Sequence, residues 1–142
     1  MRAASIKKTG GPEVLEVEDI KLSDPKPGEV LIKQIAIGLN YIDTYHRSGL
    51  YPVPLPSGIG LEGAGVVEKV GPDTKNFKVG DKVAYAAAPI GSYATHRIYP
   101  VKSLIKVPEG IDLEIVAAIM TKGLTTFYLL HKTYKVKSGD TV

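Results

Sequence analysis

The chain has 142 residues, 44% hydrophobic and 23% charged, with a formal net charge of +3. That length is one domain with room for a real core. Cysteine is absent, which excludes disulfides and thiolate–metal sites, and the densest basic cluster, Lys132, Lys135 and Lys137, is too sparse for a nucleic-acid surface.

The first residues, MRAASIKKTGG, lack the apolar stretch of a signal peptide, and no apolar run reads as long enough to span a bilayer. A cytoplasmic protein without a membrane partner is the default expectation. Residues 3–7 and 14–20 read as strands joined through Thr9-Gly10-Gly11-Pro12, a hairpin connection. Residues 22–28 (LSDPKPG) form a polar turn. Residues 29–38 (EVLIKQIAIG) predict a strand, near-continuously apolar at its end and therefore buried on both faces there. The three prolines within 50–57 exclude helix and central strand, leaving an extended loop. Further strands fit 64–70, 81–86, 92–98 and 103–106.

Residues 58–83 (GIGLEGAGVVEKVGPDTKNFKVGDKV) hold Gly58, Gly60, Gly63, Gly65 and Gly71, then Gly80-Asp81, between β-type runs. Glycine at this density beside apolar strands marks tight bends and close backbone approach.

The period changes after Pro108. Leu113, Val116, Ala117, Met120, Leu124, Phe127 and Leu130 recur at helical spacing, predicting a helix within 111–132. Asp112 is its candidate N-cap, with Glu114 in the first turn where the helix dipole favours an acid. Gly123 predicts a bend or two helical pieces. Gly139-Asp140 reads as a turn and Thr141-Val142 as the start of a strand. The fold class is mainly β with C-terminal helices, α+β. No strand–helix alternation occurs, so the sequence reads as containing no Rossmann domain.

Four blocks in order carry a family resemblance. They are Gly10-Gly11-Pro12-Glu13-Val14-Leu15; Gly38-Leu39-Asn40-Tyr41-Ile42-Asp43-Thr44-Tyr45 through Arg47-Ser48-Gly49-Leu50-Tyr51; the glycine-rich run; and Lys122-Gly123-Leu124-Thr125. The chain resembles the quinone oxidoreductases of the zeta-crystallin-like branch of the medium-chain dehydrogenases/reductases. That resemblance implies a chaperonin-10-like, partly open β-barrel as a catalytic domain over residues 1–142. Residues 112–142 would then be a helical connection toward a Rossmann domain outside the sequence. It also implies NADPH as cofactor, a quinone or similar small conjugated carbonyl as substrate, and a homodimer for the longer protein. The chain alone is expected to be inactive, because the helix N-terminus that would cradle the pyrophosphate is missing. An enoyl or alkenal reductase of the same superfamily stays open, as does a non-catalytic binding module.

Zinc-bearing members of the superfamily carry Cys and His where this chain has Asn40 and Leu61. Zinc takes thiolate, imidazole or carboxylate, so neither residue serves it. His46, His96 and His131 lack ligand spacing. The expectation is no metal, and hence reduction of an already electrophilic acceptor rather than alcohol oxidation. The resemblance places Tyr41, Ile42, Asp43, Thr44, Tyr45 and Thr125 beside the nicotinamide. It gives Asn40, Tyr45 and Tyr51 the task of positioning substrate, tyrosine offering a stacking face and a phenol donor. Plainer readings stand beside these. Tyr45 and Tyr51 fit as packing residues, Asp43 as a turn or helix cap, Glu62 as a structural carboxylate, and Lys122 as an exposed lysine rather than one approaching cofactor phosphate or ribose. His46 has no readable orienting partner for general-acid work.

Overall fold

The run EVLIKQIAIG forms the strand around which the rest is arranged, β3 (Glu29–Gly38). In this computed structural model, which describes residues 1–141, β3 is preceded by the antiparallel pair β1 (Arg2–Ile6) and β2 (Leu15–Asp19). It is followed by α1 (Tyr41–Ser48), β4 (Ser57–Gly58), β5 (Glu62–Val70), β6 (Lys82–Ala86), β7 (His96–Pro100), β8 (Ile105–Lys106) and α2 (Leu113–Tyr128). One sheet has the order β2-β1-β4, the other β7-β3-β5-β6-β8, and all pairs are antiparallel. The two sheets do not close on one another, which matches the expected partly open, mainly β architecture. The turn before β2 contains a short 3-10 segment at Pro12–Val14, where proline suits the first helical position.

Three clusters hold the sheets. Val30, Ile32, Val67 and Val83 pack with the stacked rings of Tyr85 and Tyr99, whose centroids are 4.3 Å apart. The buried Arg97 guanidinium lies 4.8 Å from each of those two rings, a cation–π arrangement inside the core. Ala64, Ala84 and Val107 receive Leu113, Val116 and Ala117 of α2. Ile6, Val14 and Ile59 form the third cluster under the smaller sheet. Gly60 sits at φ +94 beside it, where a Cβ would run into Ser92 and Tyr93, so the glycine is required there on both counts.

Several expectations are corrected. The end of β3 is not buried on both faces: Ile35 is 51% and Ile37 42% exposed, whereas Val30, Leu31 and Ile32 at its start are buried. The cause is pairing, because β7 covers β3 only from Glu29 to Lys33. The strand expected over 92–98 begins at His96. The preceding residues cross to the other sheet instead, where Ala4 N–H donates to the Tyr93 carbonyl at 2.7 Å. The strand expected over 103–106 shrinks to β8, preceded by a 3-10 turn at Val101–Ser103. Gly123 produces no bend: α2 runs through it and changes to a π-helical segment only at Leu129–Thr133.

Asp112 caps α2 as the sequence indicates, its Oδ1 accepting from Glu114 N–H at 2.7 Å. The apolar stripe is buried in its first half only. Leu124 and Phe127 are exposed, because the sheet surface ends below Met120. The continuous helical stretch Leu113–Thr133 is 21 residues, long and apolar enough to cross a membrane, which corrects the reading that no run has that length. Its first turns are committed to the core, where Leu113, Val116 and Ala117 pack against Ala64 and Ala84. The Gly139-Asp140 turn forms, with Lys137 N–H donating to Asp140 Oδ2 at 2.7 Å. The strand start read at Thr141-Val142 reaches Val142, which lies outside the described residues; Thr141 itself is in no strand.

Candidate active site

Gly38 ends β3 directly opposite Glu62, the first residue of β5. A Cβ at Gly38 would collide with the Glu62 carboxylate and the Ala117 carbonyl. The missing side chain is therefore the space the carboxylate fills. Glu62 is 0% exposed. A carboxylate in that position needs donors around it. It finds Asn40 Nδ2 at 2.6 Å, Thr121 N–H at 2.6 Å and Lys122 Nζ at 3.4 Å. These links tie the end of β3, the start of β5 and the middle of α2 into one node.

Asn40 leaves β3 in extended geometry (φ −129, ψ 149) and starts α1. Asp43, three residues on, accepts the Asn40 backbone N–H at 3.0 Å, the returning half of a capping box. Its acid in the first turn also suits the helix dipole. The same Oδ2 accepts the phenol of Tyr93 at 2.9 Å, which clamps α1 to the loop before β7. Burial, then this bond to Asp43, pushes the Tyr93 phenol far above its ordinary range. The other end of α1 stops at Gly49, in the left-handed region at φ 85. The chain then turns so that Tyr51 N–H donates to the Tyr45 carbonyl at 3.1 Å.

This turn assembles an aromatic run. Tyr45 lies 5.4 Å from Tyr41, edge to face, and 5.2 Å from Tyr51. Tyr41 is 75% exposed and Tyr51 is also exposed, so the run opens to solvent. Lys122 joins the residues just before α1 to α2: its Nζ is 3.2 Å from Asn40 Oδ1 and 3.4 Å from the Leu39 carbonyl. Thr125, one turn along α2 from Lys122, is exposed.

The sequence-derived residues thus fall into two groups. Tyr41, Tyr45 and Tyr51 form an open aromatic run, Asn40 immediately precedes it as the N-cap of α1, and Thr125 is exposed on α2. Asp43 is turned inward, its carboxylate buried and committed to Asn40 N–H and Tyr93. Thr44 bonds back to the Tyr41 carbonyl at 2.7 Å, and Ile42 is half-buried. His46 is buried behind the edge, 6.2 Å from the Tyr51 ring. Leu61 is half-buried, and among the described residues no three His, Cys, Asp or Glu side chains cluster as a metal site. Sequence reasoning missed Tyr93 and the linking role of Lys122. The Asn40–Asp43 spacing was the available signal for α1; neither Tyr93 nor Lys122 carried one, since both partnerships are long-range.

A mainly β body of two unclosed antiparallel sheets, followed by one long helix, is the fold of a GroES-like domain. The family model described as the alcohol dehydrogenase GroES-like domain matches residues 26–109, and the chain belongs to that family. The relatives are specific. A quinone oxidoreductase of Pseudomonas aeruginosa is 55% identical over 94% of this chain and 41% of its own length. A 2-haloacrylate reductase of a Burkholderia species is 48% identical over 99% of this chain and 44% of its own. The crystal structure of Escherichia coli quinone oxidoreductase complexed with NADPH superposes with a TM-score of 0.93 at 45% identity, covering 96% of this chain and 42% of that one. The chain thus spans about two fifths of the length of the relatives it matches, 41% in the first case.

Proposed function

We propose that this chain is the substrate-side half of an NADPH-dependent, zinc-independent reductase of quinones and related conjugated carbonyls. The observation that carries this reading is the open edge of Tyr41, Tyr45 and Tyr51 beside the pinned amide of Asn40. Planar aromatic faces suit a planar acceptor, and fixed polar groups beside them suit its oxygens. The 55% identity to a quinone oxidoreductase supports the same substrate class.

The cofactor residues fit in part. Tyr41 and Thr125 are exposed on the open side and would hold a nicotinamide ring and its polar substituents, with Tyr45 behind them. The Asp43 side chain would not reach it; Asp43 serves by setting α1. When bound, NADPH supplies the hydride. This chain's residues then orient the acceptor and stabilise charge on its oxygen, so that proximity and electrostatics do the catalytic work. Hydride addition leaves an anion, and one proton completes the reduction. In this reading residues 112–142 lead toward a dinucleotide-binding domain. A cytoplasmic location and a homodimeric longer protein go with it.

A second reading is favoured by the 2-haloacrylate reductase relative: the acceptor is an activated alkene rather than a quinone. Hydride delivery to either leaves negative charge on a conjugated oxygen, so the same edge serves both. NADPH oxidation by the longer protein, with 1,4-benzoquinone against 2-chloroacrylate, separates them. Preference for the quinone supports the first reading; turnover of 2-chloroacrylate alone replaces it with the second.

A further inference from the structure

Lys122 is held by three oxygens: Asn40 Oδ1 at 3.2 Å, the Leu39 carbonyl at 3.4 Å and Glu62 Oε2 at 3.4 Å. Charge-assisted bonds of an ammonium are normally about 2.7–2.9 Å. All three contacts are loose, and the side chain is 55% exposed. An arriving anionic oxygen could replace one of them at little cost. The position is also electrostatically odd. Leu39 and the N-cap Asn40 immediately precede α1, and a cation beside a helix N-terminus opposes the dipole. What holds Lys122 there is the buried Glu62 carboxylate. A placement that breaks a local preference and needs a buried counter-charge is what a functional constraint leaves behind.

Glu62 also fixes Asn40. A carboxylate only accepts, so the Nδ2 end of the amide must face it at 2.6 Å, and Oδ1 is left to hold the ammonium. We propose that Lys122 meets the substrate oxygen as it gains negative charge, and that Glu62 and Asn40 are the positioning residues that aim it. This rests on the quinone-reducing reading for the identity of that oxygen. The ligand chemistry is an oxyanion on a planar conjugated ring. A phosphate of the cofactor is the competing source of negative charge.

The test uses the 15N-labelled chain and a binding readout that needs no turnover. 4-Nitrophenolate is titrated at a pH where it is ionised, with neutral 4-nitroanisole and inorganic pyrophosphate as separate arms. In the wild type, 4-nitrophenolate shifts the Asn40 side-chain and Thr121 backbone signals, and pyrophosphate does not displace it. K122M leaves Glu62 its Asn40 and Thr121 donors, and the dispersion of its 15N spectrum checks that the fold is kept. It weakens 4-nitrophenolate about tenfold or more, as loss of a bond to a charged group should, and leaves 4-nitroanisole unchanged. Unchanged 4-nitrophenolate affinity in K122M, absence of any Asn40 shift in the wild type, or displacement by pyrophosphate would each overturn the proposal. E62Q tests the positioning: the Asn40 side-chain protons should exchange with water about tenfold faster. Unchanged exchange removes Glu62 from the role. If the longer protein fails to reduce quinones, the chosen acceptor is wrong, while these arms still report on Lys122.

Discussion

Asn40 and Glu62 are joined side chain to side chain at 2.6 Å across 22 positions of sequence, and the bond stands where Gly38 leaves room for it. Replacing the amide by an acid should show how much depends on it. N40D sets a second carboxylate against Glu62, and like charges at that distance repel. The variant should be less stable than the wild type at neutral pH. It should regain stability at acidic pH, where the pair holds one proton between them. Urea midpoints at the two pH values check this; equal losses at both would place the effect elsewhere.

Gly38→Ala should be costly. The new methyl has the Glu62 carboxylate on one side and the Ala117 carbonyl on the other, and neither can retreat. Overpacking of this kind costs about 1–3 kcal/mol. The urea midpoint should drop accordingly, and the Asn40 amide signals should move.

Gly123→Ala should do the opposite. Gly123 is inside α2, and a Cβ there meets only Ile119 Cβ at 3.9 Å, an ordinary contact. Alanine in a helix interior is favoured over glycine by about 0.5–1 kcal/mol. Thermal unfolding should shift upward with no change in substrate binding.

Much of this was legible in the sequence, and the failures have physical causes. The glycine-rich run, the strand over 29–38 and the Asp112 cap follow from local chemistry and appear as expected. The exposure of Ile35 and Ile37 was not legible, because apolar content reports what a strand tolerates and not where its neighbour stops. Gly123 misled because helix propensity is a weak prior beside packing of the flanking turns. At the site, the residue types of Asn40 and the tyrosines were informative. Lys122 read as an ordinary surface lysine, since its partners lie 60 and 82 positions away.

The tyrosines set a pH limit. Burial raises the Tyr93 phenol from its ordinary 10.0, and the bond to Asp43 adds to this. Burial also raises Tyr85 and Tyr99, partly offset by Arg97. A phenol whose folded pKa lies above its unfolded one holds its proton more tightly in the native state. Its stabilisation is therefore complete below about pH 10 and is lost as pH rises toward the folded values. The urea midpoint should decline from about pH 10 upward. Tyr93→Phe should flatten that decline and, at neutral pH, cost about 1–3 kcal/mol by leaving the buried Asp43 carboxylate with only its Asn40 N–H donor.

The central claim is that this chain supplies the acceptor side of a hydride transfer from NADPH. The most direct measurement is NADPH oxidation with 1,4-benzoquinone by the longer protein, before and after chelator treatment, beside the 142-residue chain alone. The account predicts steady turnover by the longer protein, unchanged by the chelator, and none by the chain alone. Chelator-sensitive turnover, turnover by the chain alone, or no NADPH oxidation with any conjugated acceptor would contradict it.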